Sequence, residues 1–429
     1  MNSLHISLCR EGELLPVGSI AETPDGVPFF SYLESYAESQ GAIPLSHSLP
    51  LTSNPYGESQ FKPYFEGLLA EGRAREALAA ILGVRESDYR AMLAACGRDC
   101  IGDVVIESAN DPQLNRRDEY ESIDAKRISH FFQSLPSASK ENINARLSLA
   151  GAQSKIGLAH IPSEPMARGW LKPHGLAAST HILKTSHIEK LVDLEFLCMK
   201  AAKECGIRVP NVALLDFRKP VLAVERFDRR MRMDGGQIHV ERIHQEDLAQ
   251  AFGLVSASKY AELKGGSIAT IAQWLRNHTT RPAENLSQFA RIICFNFVIG
   301  NCDAHLKNFS ITYTREGNAA FCQLAPAYDL VSTELFDRFS KDMAMALGNA
   351  RNINDVRPGD FALLARDLGI TKQFLKTLAT PIANNIDGAI RDAGNGLLGE
   401  TLESTPYLAD DLRDNIVTRL NALKEFVKS

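Results

Sequence analysis

The chain has 429 residues, of which 45% are hydrophobic and 23% charged, and its net charge is −5 at neutral pH. That length exceeds one ordinary domain, so two or three units with sizeable cores are expected. The charge balance excludes a global basic field for nucleic acid or anionic membrane, and no run of about 18 apolar residues offers a transmembrane helix.

The first residues, Met1-Asn2-Ser3-Leu4-His5, lack the charged start and apolar core of a signal peptide. The eight cysteines (Cys9, Cys96, Cys100, Cys198, Cys205, Cys294, Cys302 and Cys322) contain no CxxC pair. Several lie in apolar runs. Buried reduced thiols in a cytoplasmic protein fit this better than a zinc site.

In chain order, Leu4–Leu8 alternates as a strand and Leu14–Ile20 is placed to pair with it. Pro24-Asp25-Gly26 marks a turn. Phe29–Ala37 is apolar at helical spacing, and Tyr64–Ile81 reads as one helix through Phe65, Leu68, Leu69 and Leu78. Ser87–Cys96 reads as a further short helix. Residues 107–125 are polar and loop-like, a domain boundary.

From about residue 145 the pattern changes. Ser148–Lys155 is a loop of small residues, followed by the strand Ile156–Ile161. Trp170–Lys172 and His181–Lys184 are two more strands. Glu189–Cys205 is an amphipathic helix, with Gly206 suited to its C-terminal cap and Pro210 barring its resumption. Val212–Phe217 and Val221–Arg226 flank Arg218-Lys219-Pro220 as a hairpin.

Beyond about 240 the chain is expected to be mainly helical. His244–Leu248 reads as a helix start carrying acidic groups, a structural cap or a segment facing the cleft. Leu286–Ile299 is an apolar helix delivering Gly300. A second hairpin spans Phe309–Tyr313 and Phe321–Leu324. Helices then fill most of Phe361–Lys428, with breaks near Gly369, Thr380-Pro381 and Gly394–Gly396.

Chemistry concentrates in Gly300-Asn301-Cys302-Asp303-Ala304-His305-Leu306-Lys307-Asn308. An Asp followed five residues on by an Asn is what a kinase-type catalytic loop needs. Asp303 is the candidate base. Asn308, with Asp329 downstream in Pro326-Ala327-Tyr328-Asp329, is a candidate Mg²⁺ ligand, since Mg²⁺ takes a few oxygen ligands plus phosphate oxygens. Lys307 is a candidate to neutralise the transferred phosphoryl group. His305 reads as structural.

The loop Ser148-Leu149-Ala150-Gly151-Ala152-Gln153-Ser154-Lys155 is neither a Walker A nor a G-x-G-x-x-G pattern. Its small residues still let backbone N–H groups approach phosphate oxygens. Lys184 ends a strand before a helix carrying Glu189 and Glu195, the order in which a lysine–carboxylate pair orients the α- and β-phosphates. Glu195 is the preferred partner. Val224-Glu225-Arg226-Phe227-Asp228 leaves an apolar hairpin for a charged segment. There a hinge would offer backbone groups of Glu225 and Phe227 to an adenine edge.

Together these words resemble the HipA family, the kinase toxins of two-gene toxin–antitoxin modules. The resemblance includes Leu45–Pro50, Phe65–Gly72, Leu147–Lys155, His181–Lys184, Val224–Arg229, Gln245–Asp247, Gly300–Asn308 and Tyr328-Asp329. It implies an α+β, eukaryotic-protein-kinase-like bilobal fold with an added N-terminal α/β subdomain and a mainly helical C-terminal lobe. The units expected are 1–110, 111–230 with the phosphate-binding loop, and 231–429 with the catalytic loop.

The resemblance further implies an ATP- and Mg²⁺-dependent serine/threonine kinase. Its ATP site would include Ala150 to Lys155, Lys184, Glu225 to Phe227, His305, Lys307, Asn308, Tyr328 and Asp329. Ser148 matches the family's self-phosphorylated serine. The implied partners are a small helix-turn-helix HipB-like antitoxin, operator DNA through that antitoxin, and an aminoacyl-tRNA synthetase substrate, glutamyl-tRNA synthetase in the family. No membrane partner is implied. Ser154 and Ala70 depart from the family pattern, which leaves the target open. Two other readings stand beside this one: a small-molecule, antibiotic-type phosphotransferase, and a nucleotide-binding corepressor scaffold.

Overall fold

A computed structural model describes residues 3–10, 12–108, 118–133, 154–235, 237–316 and 319–429. The candidate residues Ser148, Leu149, Ala150, Gly151, Ala152 and Gln153 therefore lie outside the described residues, as do Gly317 and Asn318.

The first core gathers apolar residues between Leu4 and Ile106. Leu4–Arg10 pairs with Glu13–Glu22 on one side and Val104–Ser108 on the other, and Pro28–Tyr32 and Tyr56–Gly57 complete a five-stranded antiparallel sheet. Phe29–Tyr32 is thus strand rather than helix, and only Glu34–Ala37 turns helical. Phe30 and Tyr32 alternate into the core, the period-2 burial that aromatic residues favour in strands.

The single helix expected over Tyr64–Ile81 is two, Glu58–Gly67 and Gly72–Leu82. Gly72 at φ +53° redirects the chain between them. The break carries Glu71 out of helical register, toward the rest of the molecule. Asp88 caps Tyr89–Cys96 by accepting from the Ala91 N–H at 3.2 Å.

The second sheet has six antiparallel strands in the order Val212–Asp216, Pro220–Glu225, His181–Thr185, Ser154–His160, Trp170–Gly175, Asp118–Ile123. Its last strand and the helix Ala125–Gln133 begin within the segment read as a loop. Glu119 and Glu121 give that strand the polar signature of a sheet edge. Register sets Lys155 opposite Lys184. Two ammonium groups are therefore neighbours on one sheet face and call for a shared anion.

The largest core runs from Leu191 to Phe426 and unites the helix Leu191–Glu204 with the C-terminal helices. His244–Asp247 is a strand, paired with Ser310–Glu316, and not a helix start. Asp247 then caps the short helix Leu248–Ala251, its side chain accepting from the Gln250 N–H at 2.8 Å. Pro381 does not break Lys372–Gly394. Leu378, Ala379, Ile382 and Ala383 bury that helix on both sides of the proline. Tertiary packing of an apolar face outweighs one lost backbone hydrogen bond.

The first core is joined to the second sheet by buried charge. Arg226 and Arg229 share the Asp228 carboxylate at 2.7 and 2.8 Å. Asp228 also accepts from the Gly102 N–H, and both arginines donate to the Cys100 carbonyl. Asp99 adds a second carboxylate, 3.1 Å from Arg229. Burial alone would raise the carboxyl of Asp228, yet the two guanidinium groups hold it well below the usual carboxylate range.

Asp228→Ala leaves two buried arginines without their common partner. The unfolding free energy is expected to fall by about 3–5 kcal/mol, read as a lower urea midpoint; an unchanged midpoint contradicts the role given to this junction.

Candidate active site

A cavity of about 330 Å³ lies where the second sheet meets the helical part of the chain. Its lining includes the apolar and aromatic Ile182, Val224, Phe227 and Tyr328 and the polar Lys184, Asp303, Asn308 and Asp329. A volume of this size suits a small organic ligand.

Lys184 is the centre of the polar lining. Its Nζ is 2.7 Å from Glu195 Oε1 and also contacts Asp329 Oδ1. Glu195 is in the first turns of Leu191–Glu204 and 1% exposed; Glu189 precedes the helix. Burial alone would lower the Lys184 pKa, but Asp329 and Glu195 together raise it above the ordinary lysine value. Glu195 is raised, by burial first, with Lys184 opposing. Burial acts on Asp329 in the same direction, yet Lys184 and Lys155 outweigh it and hold that carboxyl low. Lys155 Nζ is 4.0 Å from Asp329 Oδ2, so one carboxylate serves both cross-strand lysines.

Asp329 adopts φ +53°, a left-handed conformation that costs a non-glycine residue about 1–3 kcal/mol. Such a cost is retained where a carboxylate must point one way. The side chain of Asn301 helps hold it: Nδ2 donates to Asp329 O at 3.4 Å and Oδ1 accepts from the Asp303 N–H at 3.1 Å. One amide therefore ties the two acidic segments together.

The catalytic-type loop leaves the helix Pro282–Ile299 at Gly300, φ +75°. A Cβ there would come within 2.8 Å of Arg419 and Glu334, so the turn needs glycine on both conformational and steric grounds. Asn308 Nδ2 donates to the Asp303 carbonyl at 2.9 Å, which leaves its Oδ1 as the acceptor available to a cation. The Asp303 carboxylate accepts from the Tyr260 hydroxyl at 2.5 Å. His305 is buried, its pKa lowered by that burial, and its ring meets Tyr260 edge-on at 5.0 Å.

Lys307 is placed otherwise than expected. Its Nζ lies 3.1 Å from Glu71 and 3.3 Å from Asp247, and Glu71 also pairs with Lys259 at 2.9 Å. Two carboxylates already neutralise this ammonium, so its charge is committed to joining the N-terminal module to the loop. Tyr328 donates to the Lys307 carbonyl at 2.7 Å and accepts from Ser310, and its ring stacks on Phe227 at 5.6 Å. The Glu225 and Arg226 N–H groups bond to Asn211 O and Thr180 O. The Arg226 side chain belongs to the buried junction.

Sequence reading gave no role to Glu71, Tyr260 or Asn301. Asn301 stood inside the quoted catalytic word, and Glu71 inside Phe65–Gly72. Tyr260 had no local signal, because its partner Asp303 is distant along the chain. The donor set of Asn308, Asp329 and two lysines suits a metal-bound polyphosphate: oxygen ligands for a hard cation, ammonium groups for phosphate. Among the described residues, no helix is long and apolar enough to cross a membrane.

Both parts of the chain are shared with known proteins. Residues 147–390 match the HipA-like C-terminal domain and residues 13–107 the HipA N-terminal domain. The Y4mE protein of Sinorhizobium fredii is 31% identical over 385 residues, covering 87% of this chain and 88% of its own length. The serine/threonine-protein kinase toxin HipA of Shewanella oneidensis is 31% identical over 376 residues, with 82% and 81% coverage. The solved complex of HipA, HipB and operator DNA from the MR-1 strain of Shewanella oneidensis superposes with a TM-score of 0.80 at 26% identity, covering 99% of both chains.

Fold and relatives together are those of a protein kinase with an added N-terminal module. The chain belongs to the HipA family of kinase toxins.

The ion pairs of Glu71 carry a pH signature. Although burial raises it, Lys307 and Lys259 bring its pKa down from 4.5 to about 2. A depressed carboxyl stabilises the fold above its unfolded value and loses that contribution as pH falls toward the folded one. Melting temperatures of the native protein and Glu71→Gln should differ by a constant amount above pH 5. The gap should narrow as pH drops from 4.5 toward 2. A gap independent of pH contradicts the assignment.

Proposed function

We propose that this protein is a cytoplasmic Mg²⁺- and ATP-dependent serine/threonine kinase, the toxin of a toxin–antitoxin pair. The observation that carries the reading is Lys184 clamped between Glu195 and Asp329, with Asp303 and Asn308 on the same cavity wall. When bound, Mg²⁺-ATP supplies the phosphoryl group and the charge neutralisation that its transfer requires.

This chain's own residues do the rest. Lys184, oriented by Glu195, binds the α- and β-phosphates. Asn308 Oδ1 and Asp329 would hold the metal, which would neutralise phosphate charge. Asp303 orients the acceptor hydroxyl and takes its proton as the acceptor oxygen bonds to phosphorus and the β–γ bridging bond breaks. The Phe227 N–H, with no hydrogen-bond partner among the described residues, is the donor for the adenine edge, and Phe227 and Tyr328 form the apolar floor. Lys155 and Ser154 contribute to phosphate binding, and by family resemblance so do Ala150, Gly151, Ala152 and Gln153, which lie outside the described residues. Lys307 positions the catalytic loop through Glu71 and Asp247.

By family resemblance the acceptor is a hydroxyl on an aminoacyl-tRNA synthetase, glutamyl-tRNA synthetase in particular. Autophosphorylation at Ser148 turns the enzyme off: about −1.5 to −2 charges beside the phosphate site repel the nucleotide. A small helix-turn-helix antitoxin similar to HipB holds the toxin and carries it to operator DNA. The Shewanella complex, which contains those three components, supports that partnership.

Asp303→Asn tests the reading. Induced expression of the native protein should arrest growth, and incubation with ATP should label Ser148. The variant should do neither, at equal expression and with an unchanged melting curve, its transfer rate down by at least about 100-fold. Growth arrest by the variant, or label confined to residues other than Ser148, contradicts the proposal.

A further inference from the structure

Phosphoryl transfer needs positive charge at the terminal phosphoryl group, and the residue expected to supply it is occupied elsewhere. Six lysine and arginine residues border the cavity among the described residues: Lys155, Lys184, Arg226, Lys259, Lys307 and Arg338. Five are matched to carboxylates. Asp329 serves Lys155 and Lys184, Asp228 serves Arg226, and Glu71 serves Lys259 and Lys307. Arg338 is exposed, has no carboxylate partner among the described residues, and rests its guanidinium over the Phe339 ring at 5.7 Å.

The segment bearing Arg338 is fixed to the catalytic loop on both sides. The Glu334 N–H donates to Gly300 O at 2.9 Å, and the Ala344 N–H to Cys302 O at 2.9 Å. Those two carbonyls lie three residues and one residue before Asp303. Between the anchors, the Phe339 N–H bonds to Phe336 O at 3.2 Å and the two rings meet edge-on at 5.6 Å. Arg338 therefore borders the cavity from a segment tied at both ends to the residues just before Asp303. A guanidinium there presents a planar fork that matches phosphate oxygens, and stacking on Phe339 limits the freedom it loses on binding.

We propose that Arg338 binds the γ-phosphoryl group of the nucleoside triphosphate and supplies the charge that Lys307, held by Glu71 and Asp247, does not. The proposal rests on the reading of this cavity as an ATP site. It assigns Arg338 a contact that a diphosphate cannot make.

Calorimetry on the phosphatase-treated full chain, with Mg²⁺-ATP and Mg²⁺-ADP as probes, separates the cases. Arg338→Met should weaken Mg²⁺-ATP binding by about tenfold or more and leave Mg²⁺-ADP affinity unchanged, with Arg338→Lys between the two for ATP. Equal losses for both nucleotides, or no loss for ATP, overturn the assignment while leaving the ATP site standing. A native protein that takes up neither nucleotide overturns the ATP reading itself, and the role of Arg338 with it.

Discussion

One buried ion cluster sets the arrangement of everything around it. Antiparallel register forces Lys155 and Lys184 into adjacency on one face of the second sheet, and the resulting repulsion is relieved by two carboxylates from different parts of the chain. Glu195 comes from the helix behind the sheet, Asp329 from the segment after the catalytic loop. Lys184 is 4% exposed and Glu195 1%, so neither ion is left to water. Buried charges of this kind cost more in desolvation than they return unless geometry is good. What they provide is position: the sheet, the helix and the segment carrying Asp329 are tied at one point.

The same logic recurs where the N-terminal module meets the rest. Asp99, Arg226, Asp228 and Arg229 form one buried junction, and Glu71, Asp247, Lys259 and Lys307 form a second. The first ends at the proposed hinge, the second at the catalytic loop. The module therefore touches both sides of the cleft through charge. Glu246 adds a third tie, accepting from the His47 N–H at 2.9 Å and the Tyr313 hydroxyl at 2.6 Å.

What could be read in the sequence was what lies close together along it. Asp303 and Asn308 share nine residues with Gly300, and their chemistry is legible in that spacing. The order of strand, lysine, helix and glutamate around Lys184 is local too, and the helix beginning at Leu191 separates Glu195 from Glu189. Contacts across the fold left no such trace. Glu71 meets Lys307, and Tyr260 meets Asp303, only because three-dimensional packing brings them there. Elements went astray for a related reason. Phe29–Tyr32 has helical spacing in isolation but joins a sheet that needs its aromatic face, and Pro381 is tolerated because both flanks of its helix are buried. Propensity is a local quantity, and tertiary burial overrode it in both places.

The account turns on Lys184 exchanging one anion for another when nucleotide arrives. A crystal structure of the unphosphorylated protein with Mg²⁺ and a non-hydrolysable ATP analogue addresses this directly. Lys184 should keep Glu195, release Asp329 and contact phosphate oxygens, with Asp329 and Asn308 on the metal and the γ-phosphate facing Asp303. A nucleotide bound outside this cavity, or a Lys184 still clamped to Asp329 beside a bound triphosphate, would contradict the central claim.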